Sequence, residues 1–496
     1  MSRIVVLVLL SGAFTWAATL AERIDKILNQ PAARRAFWGI KVVDLGSGRT
    51  LYQRNADRPF VPASNTKLFS TALALVRLGP DHRYLTRLAT DSPPDPTGRI
   101  AGDVVLVGGG DPNFSSRVLP YQKRTEFLGI PLDPLEELAA QVAALGVRQI
   151  DGDIVGDDTL YVWQRYADGW TLEDTANGDG PPVTALVVND NIITLRIGPG
   201  EKAGDPALVK LEPWTSYYTI DNRIRTAAKP AHPVRIHREP GDTTLRLWGE
   251  IALTDSGRSE VLAIDDPALF AAQALRDALV RHSVTVLGRA VSRHAMPYEF
   301  EDLEKADPVE KSYALVLASR SSMALIEDLR LINKISQNLH AELALREVAR
   351  RRRGVGSFEA SLAELKAFLG EIGITKEEFF LRDGSGLSRQ NLVTPAAIMT
   401  LLTYMWNSRY RERWLDTLPV AGFDGTLAGR FISAPAADQL RAKTGTLTHV
   451  SALSGYLPAA GGRQLAFAIL VNNYIADSGS IRKVIDQICV AALVEL

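Results

Sequence analysis

Three short motifs carry residue types that can do nucleophilic chemistry together. Ser64-Asn-Thr-Lys67 places a hydroxyl and an amine three positions apart, and on a helix that spacing sets both on one face. A serine hydroxyl is a poor nucleophile until a neighbouring base takes its proton, and a desolvated lysine can be that base. The residues after Ser64 are helix-friendly and apolar at i, i+3, i+4 spacing, which predicts a buried helix from near Ser64 to near Gly79-Pro80. The positive end of that helix favours negative charge developing at Ser64. Alone the motif is weak, because an N-cap serine followed by a surface lysine has the same pattern. A second copy, Ser480-Ile-Arg-Lys483, reads that way: Ser480 stands at an N-cap position ahead of the apolar stripe Ile481, Val484, Ile485 and Ile488.

The other two motifs follow in order. Ser336-Gln-Asn338 sits at a break between two helices, and Lys443-Thr-Gly445 sits within a predicted strand. Singly they fit a polar helix junction and a turn. Together the set Ser-x-x-Lys, Ser-x-Asn, Lys-Thr-Gly marks penicillin-recognising acyl-serine enzymes. The chemistry asks for these types: Ser64 attacks a peptide carbonyl, and Lys67 receives its proton. Ser336 can relay that proton to the leaving amine, while Asn338 holds Lys67 and the substrate amide. Lys443 supplies positive charge for a substrate carboxylate and lowers the pKa of the opposing lysine. Glycine at 445 permits close approach of substrate to the strand edge.

The elements that must position these residues lie at the two ends of the chain. Phe37 to Asp44 and Arg49 to Arg54 predict a hairpin leading into Ser64. Helices are predicted from Met323 to Ile335, Leu339 to Arg350 and Thr394-Pro395 to Trp406, with closing strands near 439–444, 450–457 and 464–472 and a last helix at Ser480. Between them the texture changes to short strands and turns, with capped helices at Asp133-Pro134 and Asp266-Pro267 and a loop at 115–132. Gly108-Gly-Gly-Asp-Pro112 reads as a turn, because no helix and lysine of a phosphate loop follow it. This is the pattern of one α/β domain interrupted by an insertion.

Bulk properties narrow the class. At 496 residues the chain needs two or three domains. A net charge of −1 offers no basic surplus for nucleic acid. Met1-Ser-Arg3, the apolar run Ile4 to Leu10 and the small residues Ala17, Ala18 and Ala21 describe a secretory leader rather than a stable membrane span. The single cysteine, Cys489, can form no internal disulfide and reads as core packing. His340 and His449 lie near the motifs without an obvious partner.

The chain resembles the secreted D-alanyl-D-alanine carboxypeptidases/endopeptidases of the class C low-molecular-mass penicillin-binding proteins. Beyond the three motifs the resemblance rests on Val107-Gly-Gly-Gly-Asp-Pro112, Gly152-Asp-Ile-Val-Gly-Asp-Asp158, Asn189-Asp-Asn191, Asp383-Gly-Ser-Gly-Leu-Ser-Arg389 and Leu418-Pro-Val-Ala-Gly-Phe-Asp-Gly-Thr426. It implies a multidomain α/β protein: a transpeptidase/β-lactamase-like domain of antiparallel sheet flanked by helices, interrupted by strand-rich inserted domains. The implied division is a signal peptide at 1–21, a catalytic domain from 22–82 and 313–496, and two smaller domains within 83–312. The backbone N–H groups of Ser64 and Thr446 would form the oxyanion hole, with Lys443, Thr444, Gly445 and Thr446 binding substrate. Asp158 is the nearest match to an inserted-domain aspartate that contacts the substrate's diaminopimelate side chain. No metal or cofactor is implied; the expected partners are peptidoglycan stem peptides and β-lactam antibiotics, and the expected location is the periplasm. Two rivals remain: a non-catalytic penicillin sensor or peptidoglycan-binding scaffold, and a β-lactamase-like hydrolase. The second lacks support, since no Glu-x-x-Leu-Asn segment is present and such enzymes lack the large insertion.

Overall fold

Alternating apolar side chains along Arg463–Asn472 bury both faces of one strand, and the rest of the catalytic part is built around it. Leu465, Phe467, Ile469 and Val471 face one cluster; Ala466, Ala468 and Leu470 face another. In the computed structural model, which describes residues 19–494 apart from 123–124, 128–129, 240, 308–310, 433 and 435–436, this strand is central to a five-stranded antiparallel sheet. The order is Thr50–Arg54, Phe37–Asp44, Arg463–Asn472, Val450–Ala459, Arg441–Leu447. The first two strands form the expected hairpin. The sheet thus closes the two ends of the chain together and leaves Arg441–Leu447, which carries Lys443, at an edge.

Helices cover both faces. Leu20–Leu28 and Ser478–Leu493 pack on one, while Thr66–Leu78, Leu325–Lys334, Asn338–Arg353, Phe358–Glu371 and Pro395–Asn407 fill the other. Asp477, not Ser480, caps the C-terminal helix, accepting a hydrogen bond from the Ser480 N–H, so the helix starts three residues before the apolar stripe suggests. Cys489 is buried in it. Residues 1–18 of the expected leader lie outside the described residues. Its last part does not: Thr19 caps the first helix, and Leu20 is buried in the same cluster as Ile481 and Ile485.

The intervening chain forms a second five-stranded sheet, ordered Ala290–Ala295, Ile154–Val162, Val104–Val107, Leu85–Thr90, Leu315–Ser321, together with smaller sheets. Leu315–Ser321 pairs antiparallel with Leu85–Thr90, so this sheet extends past the expected boundary at 312. Backbone pairing overrides the helical texture that begins just after that strand. Apolar side chains of these sheets and of the helices Asp133–Ala144 and Pro267–Arg281 belong to one hydrophobic cluster. The segment read as a loop at 115–132 contains a two-stranded hairpin, Arg117–Gln122 with Thr125–Phe127.

No helix among the described residues is long and apolar enough to cross a membrane.

Candidate active site

The Ser64 hydroxyl sits in a short 3-10 turn, Ala63–Asn65, that runs into the helix Thr66–Leu78. The helix ends at Gly79, as predicted, with a left-handed φ of 80°. Lys67 lies one turn in and is fully buried. Its Nζ is 2.9 Å from Ser64 Oγ, 2.5 Å from Asn338 Oδ1 and 2.5 Å from the Ser385 carbonyl oxygen. The donor count is informative. An ammonium has three N–H groups and fills all three contacts. A neutral amine keeps two N–H groups, which the two amide oxygens take, because those oxygens can only accept. Its lone pair is then left facing the Ser64 hydroxyl, the arrangement a general base needs.

Ser336 occupies the break between Leu325–Lys334 and Asn338–Arg353 with a left-handed φ of 66°. Such a backbone is uncommon for serine. Gln337 caps the second helix by accepting from the Leu339 N–H, which fixes Asn338 at its first turn. The Asn338 amide divides its work: its oxygen accepts from Lys67, and its nitrogen donates to the Asp179 carbonyl at 2.8 Å. Lys443, also fully buried, donates to Ser336 Oγ and to the Thr444 carbonyl, both at 2.9 Å. A chain of contacts therefore joins Ser64, Lys67 and Asn338, and a second joins Ser336 to Lys443.

The edge strand is held against the Ser64 turn. Asn65 donates to the Lys443 carbonyl at 3.0 Å. A Cβ at Gly445 would lie 2.8 Å from the Pro62 carbonyl oxygen and 3.1 Å from the Ser64 nitrogen. Glycine is thus required for the strand to approach Ser64 itself, a closer constraint than room for substrate. Thr444 Oγ1 donates to Thr426 Oγ1 at 2.7 Å, and Thr446 is exposed on the edge.

Burial governs the charges. It lowers the Lys67 pKa to about 7, outweighing Asp383, Glu342 and Asp179, which favour the ammonium. Burial also depresses Lys443, with the charge of Lys67 acting the same way. Repulsion between the two lysines is mutual, so it and burial together disfavour both ammonium groups being charged at once.

Asp158 stands apart from this cluster. It is 1% exposed, and its carboxylate accepts from or pairs with His294 at 2.9 Å. Burial raises its pKa to about 6 against the pull of His294. A side chain so covered offers no face to a peptide in this conformation. His340 is also buried, between Asp328 at 2.7 Å and Asp190 at 3.1 Å. His449 contacts the Tyr474 carbonyl.

Sequence reasoning assigned no role to Asn65, Ser385 or Glu342. The loop Asp383 to Ser388 packs on the Ser64 turn: Gly386 has φ 81°, and a Cβ there would meet the Ala63 carbonyl oxygen at 1.9 Å. Asp383 accepts from the N–H groups of Gly386 and Ser388 at 2.9 and 2.7 Å and from the Trp170 indole at 2.9 Å. A turn dense in Gly and Ser around one aspartate was the available signal for this cradle. Backbone acceptors such as the Ser385 carbonyl have no residue-type signature.

The family model for D-Ala-D-Ala carboxypeptidase 3 (S13) matches residues 20–492. The D-alanyl-D-alanine carboxypeptidase of Actinomadura sp. is 35% identical over 467 residues, covering 92% of this chain and 81% of that protein. The D-alanyl-D-alanine carboxypeptidase DacB of Haemophilus influenzae is 24% identical over 475 residues, covering 94% and 91%. The crystal structure of penicillin binding protein 4 from Haemophilus influenzae has the same fold, with a TM-score of 0.79 at 22% identity over 94% of this chain and 97% of that one. Another crystal structure of that protein is a complex with a β-lactam, with a TM-score of 0.75 at 22% identity over the same 94% and 97%.

Proposed function

This chain belongs to the D-Ala-D-Ala carboxypeptidase 3 (S13) family of peptidases, and on that premise we propose that it is a serine D,D-peptidase acting on peptidoglycan stem peptides. The observation that carries this is the Lys67 amine within 2.9 Å of Ser64 Oγ, with its two other contacts taken by carbonyl-type acceptors. In the first half-reaction Ser64 Oγ bonds to the D-alanyl carbonyl carbon and Lys67 takes the hydroxyl proton. The N–H groups of Ser64 and Thr446 hold the oxyanion. The C–N bond then breaks, and the amine leaves with a proton passed through Ser336, whose Oγ accepts from Lys443 at 2.9 Å. Water hydrolyses the acyl-serine in the second half-reaction.

Substrate recognition falls to Lys443 and to the edge strand beyond Ala442, since Arg441 and Ala442 already pair with Val420 and Pro419. Burial, then the Lys67 charge, depresses the Lys443 pKa, and a substrate carboxylate beside it would favour its ammonium form. Asp158 is given no contact here, because it is buried. A β-lactam presents a carbonyl and a carboxylate in the same relation, so penicillin acylates Ser64 and inhibits. Export to the periplasm follows from the leader-like first residues and from the substrate. The test is incubation with a pentapeptide muropeptide and a cross-linked dimer, read by mass spectrometry. Loss of the terminal D-alanine, or cleavage of the cross-link, is expected. Intact substrates in the presence of an enzyme that folds and binds penicillin would instead support a sensor.

A further inference from the structure

Glu342 is buried in the catalytic domain and has no part in the chemistry described above. It lies four residues after Asn338 on the helix Asn338–Arg353, so the two share a face one turn apart. Its Oε1 accepts from the Gly384 N–H at 2.9 Å and the Ser385 N–H at 2.7 Å, and its Oε2 accepts from the Gly384 N–H at 3.1 Å. The carbonyl of that same Ser385 is the acceptor that Lys67 contacts at 2.5 Å. We propose that Glu342 is the positioning residue for the general base: through the Gly384–Ser385 backbone it fixes the second acceptor of Lys67, and its carboxylate adds to that of Asp383 in facing the amine. The inference rests on Lys67 being the base.

Two consequences are separable. The first is geometric. With the Ser385 carbonyl and Asn338 Oδ1 fixed, the neutral amine has one orientation, and its lone pair faces Ser64. If the 384–385 peptide turned away, the amine could rotate and donate to Ser64, which gives no base catalysis.

The second is electrostatic. Glu342 faces Lys67 from the Thr66–Leu78 helix, Asp383 from the loop, and Arg346 one turn further along its own helix; Asp179 and Lys443 complete the charges around Lys67. Burial, then Asp383, pushes the Glu342 carboxyl up to about 7, against the loop N–H groups that favour its charge. Base and acid therefore titrate in the same range. An ionised Glu342 supports the ammonium, so removing its charge lowers the pH at which Lys67 becomes neutral.

The experiment compares the rate of acylation by a fluorescent penicillin across pH 4–10 in wild type, Glu342→Gln and Glu342→Asp, with thermal melts for folding. Glutamine keeps an oxygen able to accept from both N–H groups but carries no charge. Its rising limb should move to lower pH by about one unit, the low end for loss of a nearby opposite charge. Aspartate retains the charge on a shorter stem and should move the midpoint the same way by less. Should Glu342→Gln not fold, the aspartate midpoint decides alone. Unmoved midpoints, or movement to higher pH, overturn the proposal. Failure of the underlying reading looks different: wild type would show no acylation, or Ser64→Ala would still be labelled.

Discussion

Asn65 donates a hydrogen bond to the Lys443 carbonyl across 378 positions of sequence, tying the turn that carries the nucleophile to the strand that faces substrate. Both residues are fully buried. The bond fixes the relative height of the Ser64 and Thr446 N–H groups, the two donors proposed to hold the oxyanion. Asn65→Ala leaves the Lys443 carbonyl without this donor at a cost of about 1–3 kcal/mol in stability. Acylation should fall by about two orders of magnitude, because oxyanion donors displaced by an ångström lose most of their effect. Chemical denaturation and penicillin-acylation kinetics on the same samples check both.

The Lys67 pKa of about 7 makes the acylation rate rise with pH through that region, since only the neutral amine accepts the Ser64 proton. Lys67→Arg keeps a cation but cannot deprotonate. It should lower acylation by about two to four orders of magnitude and remove the rising limb. A stopped-flow pH profile of both proteins measures this.

Gly445→Ala tests the closeness of strand and turn. The new methyl group meets backbone at 2.8 and 3.1 Å, and backbone yields less readily than a side chain. A destabilisation of about 1–3 kcal/mol is expected, the usual range for overpacking, with acylation reduced more than tenfold. Thermal melting and the labelling rate report the two effects separately.

His340 links the catalytic helices to the intervening region. Burial opposes its charge, but Asp328 and Asp190 outweigh that and raise its pKa to about 9 from 6.5. Asp190, also buried, is held near 2 by Arg117 and His340. The signs follow. The His340 contribution is fully present below pH 6.5 and is lost as pH rises through about 9. That of Asp190 is present above pH 3.8 and is lost as pH falls through about 2. His340→Ala breaks a buried ionic group and should cost about 3–5 kcal/mol at pH 6. The difference from wild type should shrink between pH 6.5 and 9. Urea unfolding at several pH values gives the comparison.

The parts legible in the sequence are those set by local spacing. Ser64 and Lys67 share a face because three residues nearly complete a helical turn, and Gly79, Asp266 and Thr394 mark helix ends by their own backbone or side-chain chemistry. The hairpin Phe37–Asp44 with Thr50–Arg54 followed from alternation around a glycine turn. What escaped depends on distant backbone. Ser385 serves through its carbonyl, a role any residue type can fill, and the Glu342 carboxylate accepts from the backbone N–H groups of the distant Gly384 and Ser385. The strand Leu315–Ser321 joins the intervening sheet through pairing with Leu85–Thr90, which no local pattern near 315 announces. Asp158 matched a motif but lies under His294, and burial is not visible in a motif.

The central claim is that the Ser64 hydroxyl is the nucleophile. Intact-mass and peptide-level mass spectrometry after exposure to penicillin tests it most directly, on wild type and on Ser64→Ala with an unchanged melting profile. One penicilloyl group on the peptide that contains Ser64 in wild type, and none in the variant, is the predicted result. An adduct on another residue, or an adduct that survives Ser64→Ala, would contradict it.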